Sequence, residues 1–192
     1  MARVDFFMVV FASQRNVNWP RFSHTFGAFA AAVNGTKSLI DGAEVIGISW
    51  LPKTLDIQLN SPPEPGNNFG LTDTLDWAEN LGARISAWGP YQIKKELYDK
   101  VCRRVTNLKS GSIQYVVRDG PYRPDRATNC IHGLSDLGLT ARLLQTGAAH
   151  GERASAMVVR YFRPWILDAG ESHSEVVDLF HLKDYRIVVR NS

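Results

Sequence analysis

The chain has 192 residues, 44 per cent of them hydrophobic and 21 per cent charged, which suits one domain over residues 1–192 with a sizeable core. A net charge of +3 built from scattered Lys and Arg, with no basic stripe, argues against a nucleic-acid partner. Two cysteines are too few for a disulfide framework and read as free thiols, and no apolar run reaches the length of a membrane span.

Residues 4–12 read as a buried strand. Arg3 before this run and small residues after it also fit a short signal peptide, but the run is short for one and Asp5 stands at its start. A cytoplasmic location is therefore favoured. Residues 13–20 form a polar loop. Residues 22–33 read as a second strand with His24, Phe26, Ala28 and Ala30 on one face, although its small residues also permit a helix. Asn34 with Gly35, and Asp41 with Gly42, signal turns. Residues 43–51 form the next strand, which Pro52 ends because proline cannot donate to a ladder.

Residues 60–70, rich in Pro, Gly and Asn, read as a loop that borders a cleft. A helix over 72–81 follows, with Leu71, Leu75, Ala78 and Leu81 on one face and Gly82 as its stop. Residues 83–88 form a short strand. Gly89 and Pro90 open a long helix marked by Ile93, Leu97, Val101, Val105 and Leu108, which Ser110 and Gly111 close. A strand over 113–117 leads into a loop, 118–128, that carries Arg118, Arg123 and Arg126. Beyond it, Ile131, Leu134 and Leu137 make a short apolar helix face. A helix over 152–165 points Met157, Val158, Tyr161, Phe162 and Trp165 inward, and residues 185–190 form a last strand. The order of elements predicts an α+β fold.

The chemistry concentrates at Asn129 and Cys130. Asn129 is a good N-cap, which makes Cys130 the first helical residue. Helix starts carry unpaired N–H groups and the positive end of the macrodipole, so the thiol pKa is expected to fall there. First-turn amides, with Asn129 as cap and Ile131 as the next residue, could hold an oxyanion. His24, in Phe22-Ser23-His24-Thr25-Phe26, is the candidate base. A base needs an orienting partner, and Ser49 on the strand 43–51 is the first choice, with Glu44 and Gln14 as others.

His132 would point to a different side of the helix, and His150, His173 and His181 lie in polar surroundings that suggest exposure. A metal site from Cys130 and His132 lacks any standard zinc spacing, so no metal and no cofactor is expected. Cys102 shares a helix with Tyr98 and Val105 and reads as packing. Asp73 and Asp76 read as a solvated face. Other enzyme signatures are missing: there is no Walker-type glycine loop, no G-x-G-x-x-G after a strand and no G-x-S-x-G elbow.

The order of histidine on an early strand, a neighbouring strand, then cysteine at a helix start resembles the circularly permuted branch of the NlpC-like papain-fold hydrolases, which includes the lecithin retinol acyltransferase group. That group carries Asn-Cys-Glu-His-Phe where this chain has Asn129-Cys130-Ile131-His132-Gly133. The resemblance implies Cys130 as nucleophile, His24 as base, and a papain-like α+β fold with the cysteine helix packed on an antiparallel sheet. It implies a hydrolase or acyltransferase acting on a peptide, amide or acyl ester. Residues 52–128 form a longer insertion than compact members have, Ile131 replaces the acidic residue and Gly133 the aromatic one. Two other readings stand beside it: a non-catalytic binding domain with a packed Cys130, and a thiol redox sensor that forms a sulfenic acid there.

Overall fold

The computed structural model of the protein describes residues 3–16, 19–33, 45–138, 142–171, 173–180 and 182–190. β1 (Val4–Gln14) and β2 (Ser23–Val33) pair antiparallel along their whole length, Val4 opposite Val33 and Gln14 opposite Ser23. Both are near-continuous apolar runs because both faces of this ribbon are covered. β3 (Ile46–Ile48) extends the sheet on one side. β6 (Arg84–Ile93) and β9 (Ile187–Arg190) extend it on the other, in the order β3-β2-β1-β6-β9, with β9 parallel to β6. A second sheet joins β4 (Trp50–Pro52), β5 (Glu64–Asn68), β7 (Gln114–Tyr115) and β8 (Ala127–Thr128), of which only the last pair is parallel. With four α-helices among the described residues, the architecture is mixed α+β with two mostly antiparallel sheets.

The alternation of a strand sorts the helices between the two faces. Met8, Val10, Ala12 and Phe29 point to one core, which α2 (Lys95–Lys109), α3 (Cys130–Ser135) and α4 (Gly151–Phe162) cover. Phe7, Val9, Phe11, Phe26 and Ala28 point to the other, closed by α1 (Leu71–Asn80) and the 3-10 segment Ser174–Phe180. α1 buries Leu71, Thr74, Leu75 and Ala78 and ends before Gly82 at φ 63°, although Leu81 is exposed rather than part of its face.

Several sequence expectations are corrected. The strand of 83–88 continues to Ile93, and α2 starts only at Lys95, so Gly89 and Pro90 lie inside β6 and open no helix. The register with β1 shifts between Met8 and Val10, a bulge opposite these two residues that accommodates a proline without an N–H. Residues 60–70 contain β5. Asn68 holds it by accepting the Ser49 N–H at 2.9 Å and donating to Gly47 O at 2.9 Å. The strand of 113–117 shrinks to β7, and the helix of 152–165 gives way to a 3-10 turn at Arg163–Trp165. α4 buries Ala154, Ser155, Val158, Val159 and Phe162, leaving Met157 and Tyr161 half-buried. The turn residues Asn34, Gly35, Asp41 and Gly42 lie outside the described residues.

The strand expected over 43–51 breaks at Ser49, and its halves β3 and β4 join different sheets. Trp50, fully buried beyond that break, donates Nε1–H to Thr128 O at 3.1 Å and stands against the cysteine helix. A Cβ on Gly133 would lie 2.8 Å from Trp50 Cβ, which explains why no aromatic residue fits at this position. Gly133→Ala is expected to cost about 1–3 kcal/mol of unfolding free energy by overpacking, measurable by urea denaturation.

Candidate active site

α3 is only six residues long and is anchored at both ends. Asn129 caps it as expected, Oδ1 accepting the His132 N–H at 3.0 Å. At the other end Arg104, 1 % exposed, donates Nε–H to Gly133 O at 3.0 Å and an Nη2 hydrogen to His132 O at 3.2 Å. Leu134 lies over Gly27 of β2, so the helix start is pinned beside that strand.

Cys130 lines a cleft of about 650 Å³ together with Trp19, Thr25, Arg118, Asp119 and His150. Ile131 also lines it, whereas of the loop region only Leu59 does, so residues 60–70 do not border this cleft. Three backbone N–H groups are directed at Cys130 Sγ: those of Thr25, Ile131 and Cys130 itself. The Thr25 N–H belongs to the peptide that joins His24 to Thr25, so the sulfur lies against the backbone of β2 at this step. The side chain is half-buried by surface area, yet the thiol itself is packed deep among protein atoms. Burial pushes the thiol up to about 11, outweighing the three N–H groups, and the charge of Asp119 pushes the same way. The expected depression at the helix start is thus overturned: a six-residue helix supplies less than desolvation removes.

His24 is 1 % exposed and leaves β2 on the opposite face from Thr25. Its ring stacks on Phe26 at 5.3 Å and meets Trp77 edge-on at 5.9 Å, while Thr25 Oγ1 lies 3.0 Å from Ser155 Oγ of α4. His24 Nε2 is 2.9 Å from Ser49 Oγ, the expected partner. Its Nδ1 is buried without a hydrogen-bond partner among the described residues, and no hydrogen bond joins it to Cys130. Burial lowers its pKa to about 3, so the imidazole is neutral at physiological pH. The two other candidate orienters do not serve: Gln14 Oε1 faces the Glu152 N–H at 3.4 Å, and Glu44 lies outside the described residues.

His132, set aside in the sequence, is the most tightly held group of the site. Its Nε2 is 3.0 Å from Asp119 Oδ2 and its Nδ1 3.2 Å from Asp136 Oδ1, so both nitrogens face carboxylates and both carry protons. Asn129 Nδ2 donates to Asp119 Oδ1 at 2.9 Å, and Arg142 Nε stands 3.7 Å from the same oxygen. Burial opposes the imidazolium, but the hydrogen bonds and charges of Asp119 and Asp136 prevail and raise its pKa to about 9. Asp119 is held below the usual carboxylate range against its own burial, by His132, Arg142 and Asn129. Because the His132 pKa is higher folded than unfolded, its stabilisation is complete below about pH 6.5 and is lost as pH rises through about 9. At 1.36 kcal/mol per pH unit this amounts to about 3 kcal/mol between those limits, an expected loss that urea titrations at pH 6 and pH 10 measure.

The remaining histidines divide. His150 is half-buried in the cleft wall, its pKa lowered by burial and by Arg118. His173, expected at the surface, is 8 % exposed and holds Asp168 Oδ2 at 2.6 Å. With Glu171 these two bring one potential metal-ligand atom each within 4.8 Å of one another, away from the cleft. His181 lies outside the described residues. Cys102 is a free, half-buried thiol on α2, with a pKa raised by burial. Asp73 and Asp76 are exposed as expected, the latter accepting the Tyr185 hydroxyl at 2.6 Å. No helix among the described residues is long and apolar enough to cross a membrane. Comparison with protein-family models, with curated proteins and with solved structures returns no match.

Proposed function

We propose that the chain is a cysteine-dependent hydrolase or acyltransferase of papain-like, permuted NlpC type, with Cys130 as nucleophile, His24 as base and Ser49 as the group that orients the base. One observation carries this reading. His24 is fixed through Nε2 by Ser49, its Nδ1 is buried and unpartnered among the described residues, and the next peptide N–H along the chain is directed at Cys130 Sγ. Buried polar atoms are almost always paired, so an orphaned imidazole nitrogen one residue along β2 from Thr25, which lines the cleft with Cys130, fits a base that takes its proton only once the ring turns from the Trp77 side of β2 to the cleft.

With Nε2–H donated to Ser49, Nδ1 presents its lone pair. The resting pair is a neutral thiol and a neutral imidazole, since burial disfavours both charges. The His24 ring first has to turn from the Trp77 side of β2 to the cleft side; as Sγ then attacks a substrate carbonyl carbon, the S–H proton passes to Nδ1 and the C–S bond forms. The imidazolium then gives that proton to the leaving nitrogen or oxygen as the C–N or C–O bond breaks. A water or an acceptor nucleophile attacks the thioester, His24 takes its proton, and the thiolate leaves to be reprotonated. The N–H groups of Cys130 and Ile131, beside the sulfur at rest, would hold the carbonyl oxygen during attack. A peptide, amide or acyl ester satisfies this chemistry.

The test is turnover of a panel of peptidyl amides and acyl esters by the native chain and by Cys130→Ser, followed against pH. The neutral pair requires a plateau in kcat/KM from about pH 5 to pH 9, because His24 protonates near 3 and the thiol ionises near 11. Turnover indifferent to Cys130→Ser would remove the reading. A second reading, a binding domain with a packed cysteine, draws on the same raised thiol pKa and predicts no acyl adduct on Cys130 with any donor.

A further inference from the structure

The Asn-Cys-x-His stretch contains a hydrogen-bonded ring that the acyl chemistry does not itself require. The His132 N–H donates to Asn129 Oδ1 at 3.0 Å, His132 Nε2–H to Asp119 Oδ2 at 3.0 Å, and Asn129 Nδ2–H to Asp119 Oδ1 at 2.9 Å. The ring closes around the two residues that bracket Cys130 and Ile131. Asp119 sets its orientation: with a carboxylate on the Nδ2 side, the Asn129 amide presents its oxygen to the helix. A flipped amide would turn NH2 towards the His132 N–H, two donors face to face, and the cap would be lost.

We propose that Asp119 is a positioning residue for the Cys130 thiol, acting through Asn129 and His132 to keep the sulfur against the N–H groups of Thr25, Cys130 and Ile131. The role rests on the reading of Cys130 as the reacting thiol. Asp119 is the acidic group on the cleft wall beside that thiol, and Arg118 and His150 are the basic ones.

Charge and position act on the sulfur with opposite signs. The Asp119 carboxylate opposes ionisation of the thiol, so removing charge alone makes Cys130 more reactive. Removing position takes N–H donors from the sulfur and makes it less reactive. Asp119→Asn and Asp119→Ala delete the same charge but differ in bonding. The asparagine amide can accept from Asn129 Nδ2 and donate to a neutral His132 Nε2, which preserves the ring, whereas alanine opens it.

The experiment measures iodoacetamide labelling against pH in the full-length chain, with Cys130 and Cys102 quantified separately by peptide mass spectrometry. Cys130 is expected to label at least about fivefold more slowly in Asp119→Ala than in Asp119→Asn, the scale of one lost helix cap. Cys102, labelling equally in both, reports that the fold is kept. Equal Cys130 rates in the two variants overturn the proposal. A second measurement needs no variant: the Asn129 side-chain NH2 of the native chain is expected to exchange its protons slowly, and exchange at the rate of a free amide also overturns it. Because the readout is thiol reactivity, the two readings fail separately. If the variants differ as expected but Cys130→Ser keeps all turnover, the function falls and the positioning role stands.

Discussion

His132→Leu is expected to lower the free energy of unfolding by about 3–5 kcal/mol, the usual cost of breaking a buried ion pair from one side. The leucine is close enough in size to leave little cavity, so the loss is electrostatic. Asp136 is 2 % exposed, and among the described residues its Oδ2 lacks a partner and its Oδ1 is held by His132 Nδ1 at 3.2 Å. Arg104 contributes a favourable charge nearby but directs its hydrogens at the carbonyls of α3. The double variant His132→Leu with Asp136→Leu should recover most of the loss, since replacing both members of a buried pair by apolar groups is often neutral. Urea titration at pH 6 measures both. A single variant within 1 kcal/mol of native would contradict a buried charged pair here.

The largest expected effect on activity belongs to His24. His24→Ala should lower kcat by about 10²–10⁴-fold, the range of a positioned general base, with KM little changed because the imidazole lies behind β2 from the cleft. Ser49→Ala removes the bond to Nε2 and leaves a second orphaned nitrogen in the same buried ring. Its expected loss is about tenfold in kcat, one misoriented hydrogen bond. If Ser49→Ala equals His24→Ala, the imidazole is useless without its orienter. If Ser49→Ala changes nothing, some other group orients the base.

The elements that position the cysteine were legible because their signals are local. Long apolar runs gave β1 and β2, helical spacing and Gly82 gave α1, and Asn129 marked the start of α3. β5 was not legible: its Pro, Gly and Asn read as loop, and it is held by Asn68 reaching across to Ser49 and Gly47, with the Trp50 ring over Gly66. The ion-pair network was half legible. Asp136 stands four residues after His132, a spacing that brings helix side chains together, and Arg104 shares the buried stripe of Val101 and Leu108. Asp119 comes from a loop whose path no periodicity encodes. The pKa of Cys130 was misread because a cap and a helix start are visible in sequence, while the depth of burial is a tertiary property.

The proposed mechanism requires His24 to take the proton of Cys130. The most direct measurement is the rate at which a single turnover of an activated acyl ester forms a thioester on Cys130, quantified by peptide mass spectrometry in the native chain and in His24→Ala, with Cys102 as the internal control. Acylation confined to Cys130 and slowed at least about 100-fold by the substitution is the predicted result. Equal rates in the two proteins, or Cys102 acylated as fast as Cys130, would contradict it.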